Sequence, residues 1–188
     1  HRLLRRQRRR CIRGSLQIDD GWQKGRTANS AALKKGEKGS WSSFWHDPEF
    51  WKADPVRFPH GLKPVVDAAK AKGMKFGLWV ELEMVNKDSE LYRAHPDWIL
   101  HTEGRHASHG RKQYVLDFSR PEVVDYIHDS IYKVLSTAKV DYIKWDMNRS
   151  MSDVFSRALP PQQQGEVMHR YMLGVYRLAE RLTQGFPE

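Results

Sequence analysis

Cysteine is nearly absent: Cys11 is the only one in 188 residues. An intrachain disulfide is therefore excluded, and nothing in the chain requires an oxidising compartment. Cys11 lies in an arginine-rich arm, where positive charge can make a thiol reactive, although an incidental surface residue is the simpler reading. Long apolar runs are missing as well. No stretch approaches the roughly 18 apolar residues of a membrane span, and the first residues lack the apolar core of about 7 to 15 residues that a secretory signal needs. No membrane partner is expected, and the expected location is the cytoplasm. A glycine-rich phosphate loop is absent, which argues against phosphate chemistry. So is a helical pair of histidines at metal-ligand spacing. The loop "HTEGRHASHG" (101–110) offers His101, Glu103, His106 and His109. So polar a stretch reads as solvated, with metal binding as the alternative, and the expectation is no metal and no cofactor.

Acid is absent from the first fourteen residues. The segment "HRLLRRQRRRCIRG" carries Arg2, Arg5, Arg6, Arg8, Arg9, Arg10 and Arg13, and accounts for most of the net charge of +9 at pH 7. Such a run can bind RNA or anionic lipid, or act as an address. The blander reading is a solvated arm or a translation artefact, with residues 1–14 outside the native fold. The remainder is nearly balanced in charge and has no RNA-recognition motif, so no nucleic-acid partner is expected. With 39% hydrophobic and 29% charged residues, the composition is that of one globular domain. The length is short of the roughly 250 residues of a complete eight-stranded α/β barrel.

What is present alternates. "SLQID" (15–19) reads as a short strand ending on Asp19 and Asp20. A long connection to about residue 60 holds Trp22, Trp41, Phe44, Trp45, Phe50 and Trp51. That many aromatics suggest an ordered loop rather than a linker. "GLKPVVDAAKAKG" (61–73) sets Leu62, Val65, Val66 and Ala69 on one helical face and stops at Gly73. A strand over about 74–80 runs into Glu81 and Glu83, and a short helix is expected over 89–94, ahead of Pro96. "QYVLDF" (113–118) is another extended run, ending near Asp117. Ser119 and Glu122 have capping-box spacing before a helix to about residue 138. Then come the strand in "VDYIKWDMNRS" (140–150) and a last helix over about 163–184. Alternating strands and helices predict βα units on a parallel sheet.

In such units ligands gather at the C-terminal ends of the strands. Acids stand at several of those ends: Asp19 and Asp20, Glu81 and Glu83, Asp117, and Asp146. Trp79 and Trp145 stand beside them, which suggests a polar pocket with an aromatic wall, suited to the hydroxyl rim and C–H face of a sugar. Glycoside hydrolysis by two carboxyl groups uses both features. Lys144, two residues before Asp146 on a strand, points to the same face and would favour an ionised carboxylate there. A structural ion pair remains the alternative.

The blocks "QIDDGW", "FPHGLKPVVDAAKAKGMKFGLWVELEMVNKDSELYRAHPDW", "GRKQYVLD" and "DYIKWDMNRS" resemble, in order and spacing, those of the α-galactosidases (melibiases) of glycoside hydrolase family 36, over roughly residues 15–188. The resemblance implies a retaining hydrolase with a (β/α)8 TIM barrel, of which about half is present. It implies that Asp146 is the nucleophile, that Asp19 and Asp20 hold galactose hydroxyls, and that Trp79 lines the sugar pocket. Arg111, Lys144 and Asn148 would add hydrogen bonds around the ring. The substrates would be α-galactoside oligosaccharides such as melibiose or raffinose, and the complete enzyme could be a homo-oligomer.

Two departures stand out. Glu81-Leu82-Glu83 replaces the family's usual Glu-Pro-Glu, which predicts a less rigid turn. The family's general acid/base is an Asp on a later strand, and no motif before Glu188 supplies it; Asp153 is too close to the nucleophile. The expectation is a fragment, inactive alone. A raffinose-type galactosyl transglycosidase and a nucleic-acid-binding protein led by the basic arm are the other readings.

Overall fold

The computed structural model describes residues 14–23, 53–87, 89–110 and 113–187. Cys11, the basic arm up to residue 13, Arg111, and Trp41, Phe44, Trp45, Phe50 and Trp51 of the long connection lie outside the described residues.

Strands β1 (Ser15–Ile18), β2 (Lys75–Val80) and β5 (Tyr142–Trp145) form a parallel sheet in the order β1-β2-β5. The central strand is buried from Phe76 to Val80, and its sequence is accordingly apolar at both alternating sets of positions. Register pairs Ile18 with Leu78, Trp79 with Lys144, and Val80 with Trp145. Helix α1 (Lys63–Ala71) precedes β2. Proline in its first turn supports the start, and Gly73 at φ +69° takes the left-handed conformation that ends it. Helix α3 (Pro121–Thr137) leads into β5 and buries Val123, Val124, Ile127, Ile131 and Leu135. Helix α4 (Val167–Gly185) buries Tyr171, Val175, Leu178 and Leu182 in the same core.

Three expectations are corrected. The run 113–118 does not add a strand to the parallel sheet: β4 (Gln113–Val115) pairs antiparallel with β3 (Met84–Asn86) in a separate two-stranded sheet. A parallel neighbour needs a covering crossover, and the helix between these strands, α2 (Glu90–Ala94), has only five residues. The capping box is not made either. Arg120 occupies the cap position of α3 with no side-chain hydrogen bond, because the Ser119 hydroxyl donates to Asp117 instead. Finally, residues Pro161–Glu166 form a 3₁₀ turn and the last α-helix begins at Val167. The Gln164 amide holds that turn by donating to the carbonyls of Ser156 and Leu159.

Gly174 is where α4 meets the backbone beneath it. A Cβ there would fall well inside contact distance of the Phe118 carbonyl oxygen, and a backbone atom cannot swing aside. Gly174→Ala is expected to destabilise the fold by about 2 kcal/mol, read as a lowered denaturation midpoint. Among the described residues, no helix is long and apolar enough to cross a membrane.

Candidate active site

Parallel strands deliver their C-terminal ends to one edge, and the register decides which side chains meet there. Asp19 follows β1 directly, Trp79 sits near the end of β2 opposite Lys144, and Asp146 follows β5 with its N–H donated to the Val80 carbonyl at 2.9 Å. The Asp146 carboxylate is then met on one oxygen, Oδ2, by three groups. Trp79 Nε1 donates at 3.2 Å, Asn148 Nδ2 donates at 2.9 Å, and Lys144 Nζ stands 3.9 Å away. Lys144 also reaches Asp19 Oδ2 at 3.4 Å, so one ammonium bridges the ends of two strands. Lys144, Asp19 and Asp146 remain solvent-accessible, with side chains 46%, 58% and 39% exposed.

Five of the residues singled out from the sequence are thus brought together: Asp19, Trp79, Lys144, Asp146 and Asn148. Asp20 is exposed next to Asp19, its N–H donated to Asp19 Oδ1. Gln17 was not anticipated. Its amide donates to Asp19 Oδ2 at 2.8 Å, and the two-residue alternation of a strand, which sets residues 17 and 19 on one face, was the available signal.

The other strand-end acids do not join this cluster. Glu81, Glu83 and Asp117 are fully enclosed. Asp117 accepts from Ser119 and Ser156, which makes it a buried turn-holding carboxylate rather than part of an open mouth. Leu82 of the Glu81-Leu82-Glu83 turn is in the hydrophobic core. The expected aromatic wall also differs. Trp79 is only 2% exposed and works through its indole N–H, while Trp145, on the opposite face of its strand, donates its N–H to Glu83 Oε2 at 2.6 Å. A third indole completes the pattern, since Trp22 Nε1 donates to the Trp79 carbonyl at 2.9 Å. Indole N–H groups thus tie the ends of β1, β2 and β5 to each other.

Around the cluster, Arg149 donates to the Gln113 carbonyl and to Ser108 Oγ, fastening the chain after Asp146 to the first residue of β4 and to the loop before it. Asp153 accepts from the Thr102 N–H and hydroxyl at 3.0 and 2.7 Å and meets His101 Nδ1 at 3.3 Å. It anchors the histidine-rich loop. Among the described residues no group of three or more His, Cys, Asp or Glu could hold a metal ion. Beneath the site, burial first, and then the charges of Glu83 and Asp117, hold the Tyr171 phenol far above its ordinary range.

Residues 12–188 match the family model described as melibiase. The chain belongs to the melibiase family. It is 44% identical over 170 residues to alpha-galactosidase 1 of Pediococcus pentosaceus, covering 90% of this chain and 21% of that protein. Over 137 residues it is 50% identical to alpha-galactosidase AgaA of Geobacillus stearothermophilus, covering 73% of this chain and 19% of that protein. Among solved structures, the family 36 alpha-galactosidase AgaB of the same organism superposes with a TM-score of 0.77 at 43% identity, covering 93% of this chain and 22% of that one. A substituted AgaA, solved in complex with raffinose, also has a TM-score of 0.77, at 41% identity. The chain thus spans about a fifth of the length of these melibiase relatives, all of them alpha-galactosidases and therefore glycoside hydrolases.

Proposed function

We propose that this chain carries part of the active site of a retaining α-galactosidase, with Asp146 as the nucleophile. The observation that carries the reading is the solvent-accessible Asp146 carboxylate held by the Trp79 and Asn148 N–H groups with Lys144 beside it. Every one of these contacts is a donor or a cation, which suits a carboxylate that must attack in its ionised form. In the first step the Asp146 oxygen would bond to the anomeric carbon as the glycosidic C–O bond breaks, and the departing oxygen would take a proton from a general acid. Water would then displace Asp146, with that same group acting as base and the anomeric configuration restored.

Asp19, Asp20, Lys144 and Asn148 form the polar side of the sugar site, with Trp79 behind them and Arg111 as a further donor. Residues 15–188 would be a partial catalytic domain of a (β/α)8 barrel, and residues 1–14 an arm outside it. The general acid/base would lie outside these residues. The family resemblance carries that expectation, and it is consistent with the strand-end acids: Glu81, Glu83 and Asp117 are enclosed, Asp153 is held by Thr102 and His101, and Asp19 and Asp20 are assigned to the sugar in this reading. Substrates would be terminal α-galactosides of the raffinose type, since a relative of this chain binds raffinose.

The test has two arms. The polypeptide encoded by the full reading frame around this segment is expected to hydrolyse an aryl α-galactoside, releasing α-galactose first, as followed by NMR. The 188 residues alone are expected to release no chromophore. Initial release of β-galactose would refute double displacement, and brisk turnover by the short chain would place the acid/base within it.

A further inference from the structure

We infer that Glu83 is a positioning residue for Asp146, acting from the buried face of the sheet through the indole of Trp145. The inference rests on the proposed role of Asp146. Trp145 and Asp146 are neighbours at the end of β5 and therefore point to opposite faces: the carboxylate toward solvent, the indole toward the core. Glu83 is 2% exposed and accepts from Trp145 Nε1 at 2.6 Å, so a half-buried indole meets an enclosed carboxyl.

Both partners are seated on fixed structure. The Glu83 backbone carbonyl accepts from the Leu116 N–H at 2.8 Å, which ties the turn after β2 to the end of β4. The Trp145 ring packs edge-on against Phe118 at 6.1 Å between centroids, and Phe118 stacks on Tyr171 of α4 at 5.5 Å. The backbone of Phe118 is in turn pressed against Gly174. The indole thus has an aromatic floor and an enclosed acceptor, and both constrain its ring.

Asp146 lies one peptide unit away. Its Oδ2 must stay within reach of Trp79 Nε1, and its N–H is held by Val80. Without the Glu83 acceptor, the half-buried indole N–H would lose this partner, and the ring would turn to find another. The strand end would shift with it. A displacement of about 1 Å at a reacting group is enough to cost up to roughly a hundredfold in rate.

The experiment uses the polypeptide encoded by the full reading frame, with Glu83→Leu, Glu83→Gln, Trp145→Phe and the Glu83→Leu/Trp145→Phe double variant. Glu83→Leu and Trp145→Phe are each expected to lower kcat about tenfold, with KM within about twofold. Glu83→Gln should recover most of that loss, because an amide oxygen still accepts from the indole. The double variant should be no worse than either single change, since both break one bond. Trp145→Phe keeps the packed ring and serves if Glu83→Leu does not fold. A merely structural role would lower the melting temperature, leave kcat per folded molecule unchanged and give additive effects; that result overturns the inference, as does a Glu83→Gln variant as slow as Glu83→Leu. An unsubstituted protein without α-galactosidase activity overturns the proposed function and this inference together. An active one whose Trp145→Phe variant turns over normally overturns the inference alone.

Discussion

Asp146→Asn in the full-length protein is expected to lower kcat for an aryl α-galactoside by about four orders of magnitude, with the fold unchanged. Asparagine is isosteric, and its oxygen can still accept from Trp79 Nε1 and Asn148 Nδ2, which hold the carboxylate at 3.2 and 2.9 Å. What it lacks is the negative charge needed to attack the anomeric carbon. A second measurement separates a nucleophile from a structural acid. In Asp146→Gly the side chain is gone, so azide can occupy the vacated space, attack from the same face and give β-galactosyl azide, and added azide should restore consumption of an activated substrate. A variant that melts like the parent, is inactive and is not rescued would assign Asp146 some other role.

Lys144→Met carries the second largest expected effect, a loss of about a hundredfold in kcat/KM, together with a stability change below about 1 kcal/mol. The two halves of this prediction come from the same geometry. Lys144 reaches Asp19 at 3.4 Å and Asp146 at 3.9 Å, but all three side chains are more than a third exposed, and ion pairs so accessible to water contribute little to folding. Their value is positional. Without the ammonium, the Asp19 and Asp146 carboxylates lose the cation that stands between them, and a sugar hydroxyl loses a charged donor. Lys144→Arg should rescue only partly, because a planar guanidinium does not fit a site made for a compact point charge. Equilibrium denaturation alongside steady-state kinetics decides it: a collapse of stability in Lys144→Met would mean that the bridge serves the fold.

The elements themselves were legible wherever they are amphipathic or continuously apolar. The stripes of α1, α3 and α4 and the run from Phe76 to Val80 correspond to buried faces, because burial selects apolar residues at the period of the element. The gathering of Asp19, Trp79, Lys144 and Asp146 was legible too, since parallel strands send their C-terminal ends to one edge. The Ser119 cap was not. Its hydroxyl had two possible partners in reach, the N–H donors of a helix N-terminus and the Asp117 carboxylate, and only the packing of Ser156 against Asp117 favours the second.

The sequence by itself determined most of the strands and helices, though not β3 or the 3₁₀ turn before α4, and which strand ends carry acids, because periodicity and local propensity act over a few residues. The tertiary structure decided which of those acids face solvent and which are sealed. It paired β4 with β3 instead of the parallel sheet, aligned Trp79 with Lys144, and turned the Trp145 indole down onto Glu83. Those outcomes depend on partners far apart in the chain, 62 residues for Trp145 and Glu83, and contacts between distant segments are selected only when the whole core packs.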